Sequence, residues 1–162
     1  PSGPDNDKVN DIHFLISLIT EIRHIRAEMN VPLSAKPILQ IRGAKPKQLG
    51  AVTNQSAALA RLARLDGFET VENFVKGTAR GTVDGLEIGL PLAKILDLEA
   101  EAIRLNKEIA GVEAETKKIS AKLNNPSFLE KAPDNVVDEN RRRLEDEKAK
   151  MDGLHAALSR LE

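Results

Sequence analysis

The chain has 162 residues, of which 30% are charged and only 2% aromatic, with no Trp or Tyr and a formal net charge of −1. So few aromatic side chains leave little to fill a large globular core, which points to long solvated helices. Balanced charge gives no global pull toward nucleic acid or membrane, and the lack of Cys excludes disulfides, thiolate zinc sites and cysteine nucleophiles. No signal-peptide pattern opens the chain. Its most apolar run, "IHFLISLI" (12–19), is too short to cross a bilayer, so a soluble, cytoplasmic protein is expected.

The expected fold class is α+β and mostly helical, in three parts: residues 1–33, 34–93 and 94–162. Residues 7–30 read as a first helix. Val9, Ile12, Leu15, Ile16, Ile19, Ile22, Ile25 and Met29 recur at spacings of three and four, with Asp7 as the N-cap and "NVP" (30–32) as the stop. Phe14 and Leu18 widen the apolar stripe beyond one face. Such a helix needs burial on several sides. The rest of the chain offers few partners for it, so the chain is expected to be cut from something larger.

Residues 34–93 read as a small α+β unit with a short, mainly antiparallel sheet. "KPILQIRG" (36–43) alternates like a strand. A helix is expected over 46–65, with Leu49, Val52, Ala58, Leu59, Leu62 and Leu65 facing inward and Gly67 closing it. Three strands follow, at 68–73, 78–84 and 86–92, with Gly77 and the Asp84-Gly85 pair as turn signals. About sixty residues make a thin core that draws on neighbours for stability.

From Lys94 the pattern changes. Ile95, Leu98, Ala102, Leu105, Ile109, Val112, Thr116, Ile119 and Leu123 alternate steps of three and four, and so do Val137, Asn140, Leu144, Glu147, Met151, Leu154, Leu158 and Leu161. Two such heptad runs joined by a short loop predict an antiparallel coiled-coil hairpin, with arms of about 45 Å. Pro126 and Pro133 bound its tip, residues 124–134. The polar seam residues Thr116, Asn140 and Glu147 fix register at a cost in stability.

Catalysis finds no support, and no catalytic residue is assigned. His13, His24 and His155 lack a second ligand at a metal spacing, so no metal is expected. The glycines of "KGTARGTVDG" lack the GK[ST] ending of a phosphate loop and read as hairpin turns. Charge is more informative. Residues 116–143 hold Lys117, Lys118, Lys122, Lys131, Arg141, Arg142 and Arg143 against four carboxylates, a net +3, while 94–115 carry −3 and 144–162 carry −2. Lys118 falls roughly opposite Arg141 in the hairpin and shares a face with Lys122. Like charges brought together favour an anion, and a phosphate backbone is the obvious one. Asp138 and Glu139 also stand close enough to neutralise part of the Arg run. Phe128 either stacks on a base or caps the hairpin end.

Three segments resemble the bacterial valyl-tRNA synthetase family: "ITEIRHIRAEMNVPLSAK" (19–36), "LEIGLPLAKILDLEAEAIRLNKEI" (86–109) and "KLNNPSFLEKAPDNVVDENRRRLED" (122–146). They occur in the family's order. The resemblance implies a C-terminal fragment of a valine–tRNA ligase: the terminal helix of the anticodon-binding bundle (1–33), a connecting unit (34–93) and a tRNA-binding arm (94–162). It also implies that the chemistry, which uses ATP, lies in catalytic and editing parts outside this chain. The HIGH- and KMSKS-type signatures are not found here, and the fragment itself holds no cofactor. The implied partners are tRNA(Val), met by the arm near its outer corner, and the rest of the same enzyme. The resemblance sets the tip-half cations against phosphates, with Arg23 and Arg26 nearer the anticodon stem. The apolar 12–19 face is expected to associate with another copy in the isolated fragment. The competing reading is a coiled coil for protein–protein interaction.

Overall fold

A computed structural model describes residues 4–161. In chain order these form α1 (Pro4–Glu28), β1 (Leu39–Arg42), α2 (Pro46–Asn54), α3 (Ser56–Ala63), β2 (Phe68–Thr70), β3 (Thr78–Val83), β4 (Leu86–Pro91), α4 (Leu98–Leu123), α5 (Pro126–Lys131) and α6 (Asp134–Arg160). The α+β, mostly helical class read from the sequence holds. Two compact units emerge: one runs to Leu98 and includes Arg160 and Leu161, and the other is Glu99–Ser159. Among the described residues no helix is long and apolar enough to cross a membrane.

The first unit is built on a four-stranded sheet of order β2-β1-β4-β3. β1 and β2 run parallel, with Leu39 beside Phe68, and α2–α3 supply the crossover that parallel neighbours require. The other two pairings are antiparallel, Ile41 beside Ile88 and Val83 beside Leu86. The β3–β4 hairpin turns on Asp84 (φ 48°) and Gly85 (φ 86°), the two left-handed residues of a tight primed turn. The Gln48 side chain steadies this region: its Oε1 accepts from the Lys45 N–H at the start of α2, and its Nε2 donates to Asp84 O.

One face of the sheet looks at α1, because a Cβ on Gly81 of β3 would meet Glu21 and Ile25. Ala79, Val83, Leu86, Ile88 and Leu90 of the sheet, and Leu18, Ile22, Ile25 and Met29 of α1, are all buried. On the other face Phe74 lies against Gly89, where any Cβ would sit 2.9 Å from the Phe74 ring. That close approach requires glycine. Within this unit Arg160 is nearly enclosed: its Nε donates to Glu28 Oε2 at 2.7 Å, one Nη to Glu21 Oε1 at 2.9 Å and the other to Arg80 O at 2.6 Å.

Several expectations change here. Asp7 does not cap α1, which begins at Pro4, and instead ion-pairs with Lys47 at 2.7 Å. The buried face of α1 runs through Phe14, Leu18, Ile22, Ile25 and Met29, leaving Val9, Ile12 and Ile16 about half exposed. The helix expected over 46–65 is two helices, broken at Gln55, which closes α2 and leads into α3. Leu62 is 41% exposed, while Ala51 and Ala63 take inward positions. Arg64, not Gly67, closes α3: it adopts the left-handed conformation (φ 54°), and the Leu65 N–H returns to Ala60 O. The strand expected over 36–43 is confined to Leu39–Arg42.

The second unit is the hairpin. Leu105, Ile109, Val112 and Ile119 of α4, and Val137, Asn140 and Ala157 of α6, are its buried residues. Apart from Ala157, all lie on the two heptad seams. The tip is not a bare loop: Asn125 caps the six-residue α5 by accepting the Ser127 N–H at 3.0 Å, with Pro126 in its first turn.

Candidate nucleic-acid interface

The tip-half cations stand on the last turns of α4 (Lys117, Lys118, Lys122), the end of α5 (Lys131) and the first turns of α6 (Arg141, Arg142, Arg143), and all are exposed. Their places follow from the seam. Once Val112 and Ile119 turn inward on α4, and Val137 and Asn140 on α6, the positions off the seam turn toward solvent.

The cations divide by partner. Arg143 reaches across the hairpin to Glu115 at 3.0 Å. Arg141 pairs loosely with Asp138 at 3.7 Å, both side chains well exposed. Such exposed pairs contribute about 0–1 kcal/mol and open readily to a stronger anion. Lys117, Lys118, Lys122, Lys131 and Arg142 have no ion-pair partner among the described residues.

The Arg143–Glu115 pair also marks the register. With those residues level, Lys118 stands level with Asn140 and next to Arg141, close to the placement expected from the heptads. Sequence reasoning missed Glu115 as a partner, because it was assigned to the acidic half of the arm and only the register brings it to Arg143. Phe128 is half-buried on α5, and Leu129 is 40% exposed. An apolar spot thus sits among the lysines.

Arg23 and Arg26 belong to the first unit. Arg23 is exposed, and its Nε donates to Leu62 O at 3.1 Å. Arg26 is only 6% exposed and its guanidinium is held by three backbone carbonyls: Arg64 O, Pro32 O and Ala35 O, at 3.1, 2.8 and 2.9 Å. Burial, and then the neighbouring Arg64 charge, push Arg26 below the ordinary arginine value. Its main task is to close the chain reversal after α1.

Comparison with known proteins bears on both units. Residues 97–162 match the family described as the valyl tRNA synthetase tRNA binding arm. The valine–tRNA ligase of Caulobacter vibrioides is 42% identical over 157 residues, covering 97% of this chain and 17% of that protein. The ligase of Rhizobium meliloti is 38% identical with the same coverage, and that of Mesorhizobium japonicum is 35% identical over 99% of this chain and 17% of its own length. The chain thus spans about 17% of the length of these curated relatives. It belongs to the valyl-tRNA synthetase family, and its residues 97–162 are of that family's tRNA-binding arm type.

Proposed function

We propose that the chain binds and orients tRNA for a valine–tRNA ligase, with its hairpin as the contact and the ATP-dependent attachment of valine to tRNA(Val) carried out by other parts of the enzyme, in the cytoplasm. The supporting observation is the set of five cations, without an ion-pair partner among the described residues, gathered in the tip half of a hairpin that matches a tRNA-binding arm. Lys117, Lys118, Lys122, Lys131 and Arg142 supply phosphate contacts. Arg141 and Arg143 join by exchanging weak carboxylate partners for phosphates.

Such contacts read the folded shape of an RNA, not its sequence. The arm therefore adds affinity for tRNAs in general near their outer corner, and discrimination of tRNA(Val) lies elsewhere. Phe128, with its ring only partly covered, lies against a base or sugar at the same contact. The half-exposed Ile12 and Ile16 border an apolar groove between α1 and α2–α3, also lined by Leu15, Ile19, Ala58 and Leu62. We assign this groove to packing against the remainder of the enzyme, and to self-association when the chain stands alone.

The test is tRNA binding by the 162-residue chain at two salt concentrations, with Lys118, Lys122 and Arg141 changed together to Glu. Loss of three phosphate contacts lowers the salt slope by about three and weakens binding steeply. Unchanged affinity, or binding that holds as salt rises, would instead favour a hydrophobic protein–protein coiled coil.

A further inference from the structure

Several arginines in this molecule face a carboxylate: Arg104 bonds Glu101 and Glu108, Arg143 bonds Glu115, and Arg160 bonds Glu21 and Glu28. One cluster of three does not. Arg23, Arg26 and Arg64 line a single hollow of about 290 Å³ in the first unit, walled otherwise by apolar residues such as Val31, Leu33 and Ala63. None of the three has a carboxylate partner among the described residues.

We propose that this hollow is a phosphate-binding site, held by the free edges of Arg23 and Arg64 with Arg26 as the charge beneath. Backbone carbonyls hold the Arg23 and Arg26 guanidinium groups while leaving part of each open. Arg23 uses Nε on Leu62 O, so its two terminal nitrogens remain available as a pair. Arg64 touches Leu33 O through Nη1 at 3.5 Å, too long to bind firmly, so its Nε and Nη2 edge remains. Arg26 spends three of its five N–H groups on carbonyls and keeps Nε–H and one Nη1–H.

Two open forks match a tetrahedral oxyanion, which offers oxygens to both. A carboxylate has two oxygens and fills one fork. A simpler role for these arginines is to cap the carbonyl end of α3. That role falls short on charge, because a helix C-terminus offers about half a negative charge against three positive ones. The apolar walls strengthen what remains, since charges interact more strongly away from water. Burial, and then the adjacent Arg64 charge, hold Arg26 below its ordinary value, and a bound anion would offset both.

The phosphate has two possible sources: the backbone of an RNA, or a free phosphate-bearing small molecule. The site is independent of the arm. Its test is a titration of the 162-residue chain with inorganic phosphate at constant ionic strength, following the Nε–H signals of its arginines by NMR. Saturable shifts are expected at Arg23 and Arg64. Arg64→Gln and, separately, Arg23→Gln each weaken binding about tenfold, while Arg61→Gln, exposed on α3 outside the hollow, leaves it unchanged.

An RNA duplex that competes with phosphate for these signals identifies a backbone source, and one that leaves them untouched identifies the free ion. Changing Lys118 and Lys122 to Glu leaves the phosphate titration unaltered, so failure of the arm reading and failure of this one are distinguishable. Shifts at Arg23 and Arg64 no larger than at Arg61, or acetate binding as tightly as phosphate, would overturn the proposal.

Discussion

The two units use apolar residues in opposite ways. Of the twelve largest fully buried side chains, ten lie in the first unit, from Leu18 to Leu92, and only Leu105 and Ile119 lie in the hairpin. Many hairpin seam residues, including Ala102, Thr116, Leu144, Glu147 and Met151, stay half-buried. A sheet packed on a helix encloses side chains on several sides, whereas two helices side by side cover only a strip of each. The hairpin therefore has little core and much surface. That surface displays charged residues along both long helices, and the cations of its tip half are the ones proposed to meet tRNA phosphates. The proposed tRNA contact thus falls on the part of the chain with the least buried apolar area, while most of the core lies in the other.

The sharpest way to break this contrast is a cavity in the first unit. Ile25 is fully buried between α1 and the sheet. Ile25→Ala should destabilise that unit by about 2–5 kcal/mol. Denaturant unfolding followed by helical circular dichroism should then show two steps, the first unit melting early and hairpin helicity surviving. A single early transition that removes all helicity would mean the hairpin has no stability of its own.

A smaller change tests the hairpin from within. Asn140 is buried in the seam, its Nδ2 donating to Val136 O at 2.8 Å while its Oδ1 has no partner. An unsatisfied buried acceptor costs about 1–3 kcal/mol, so Asn140→Leu should raise the hairpin's stability by about 1–2 kcal/mol. It should also loosen register, since a polar seam residue disfavours misaligned pairings. Thermal melting reads the first effect. Weakening of the Arg143–Glu115 coupling in a double-mutant cycle reads the second.

These regions also differed in how far the sequence revealed them. The heptads of 95–123 and 137–161 predicted the hairpin and its buried positions other than Ala157, because a seam between adjacent helices is written in local spacing. The face of α1 was not written that way. Val9, Ile12 and Ile16 are as apolar as Leu18 and Ile22, and periodicity cannot choose among apolar faces when the choice is made by a distant sheet. The break at Gln55 and the left-handed Arg64 carry no Gly or Pro to mark them. The hollow formed by Arg23, Arg26 and Arg64 needed the α3 terminus to fold back on α1, so only Arg23 and Arg26 stood out beforehand. At the arm tip the cations were legible as a charge excess. Which of them is free depended on Glu115, and so on register.

The smallest expected effect concerns the tip, where the hairpin reverses through α5. Six residues are too few to hold a helix by propensity alone, since nucleation costs more than one turn of hydrogen bonds returns. What holds α5 is its start: Asn125 accepts the Ser127 N–H, Pro126 is preset for the first turn, and the Leu129 N–H reaches Asn125 O at 3.1 Å. Asn125→Ala removes the side-chain acceptor and should cost about 1 kcal/mol. Because no fully buried side chain lies in α5, that loss should stay local. Hydrogen exchange should quicken over 127–132, while the Val112, Ile119 and Val137 amides keep their protection. If phosphate contact depends on the helical cations of α4 and α6, tRNA affinity should fall less than twofold. A loss as large as that from charge reversal at Lys118, Lys122 and Arg141 would move the contact onto the tip itself, with Lys131 and Phe128 at its centre.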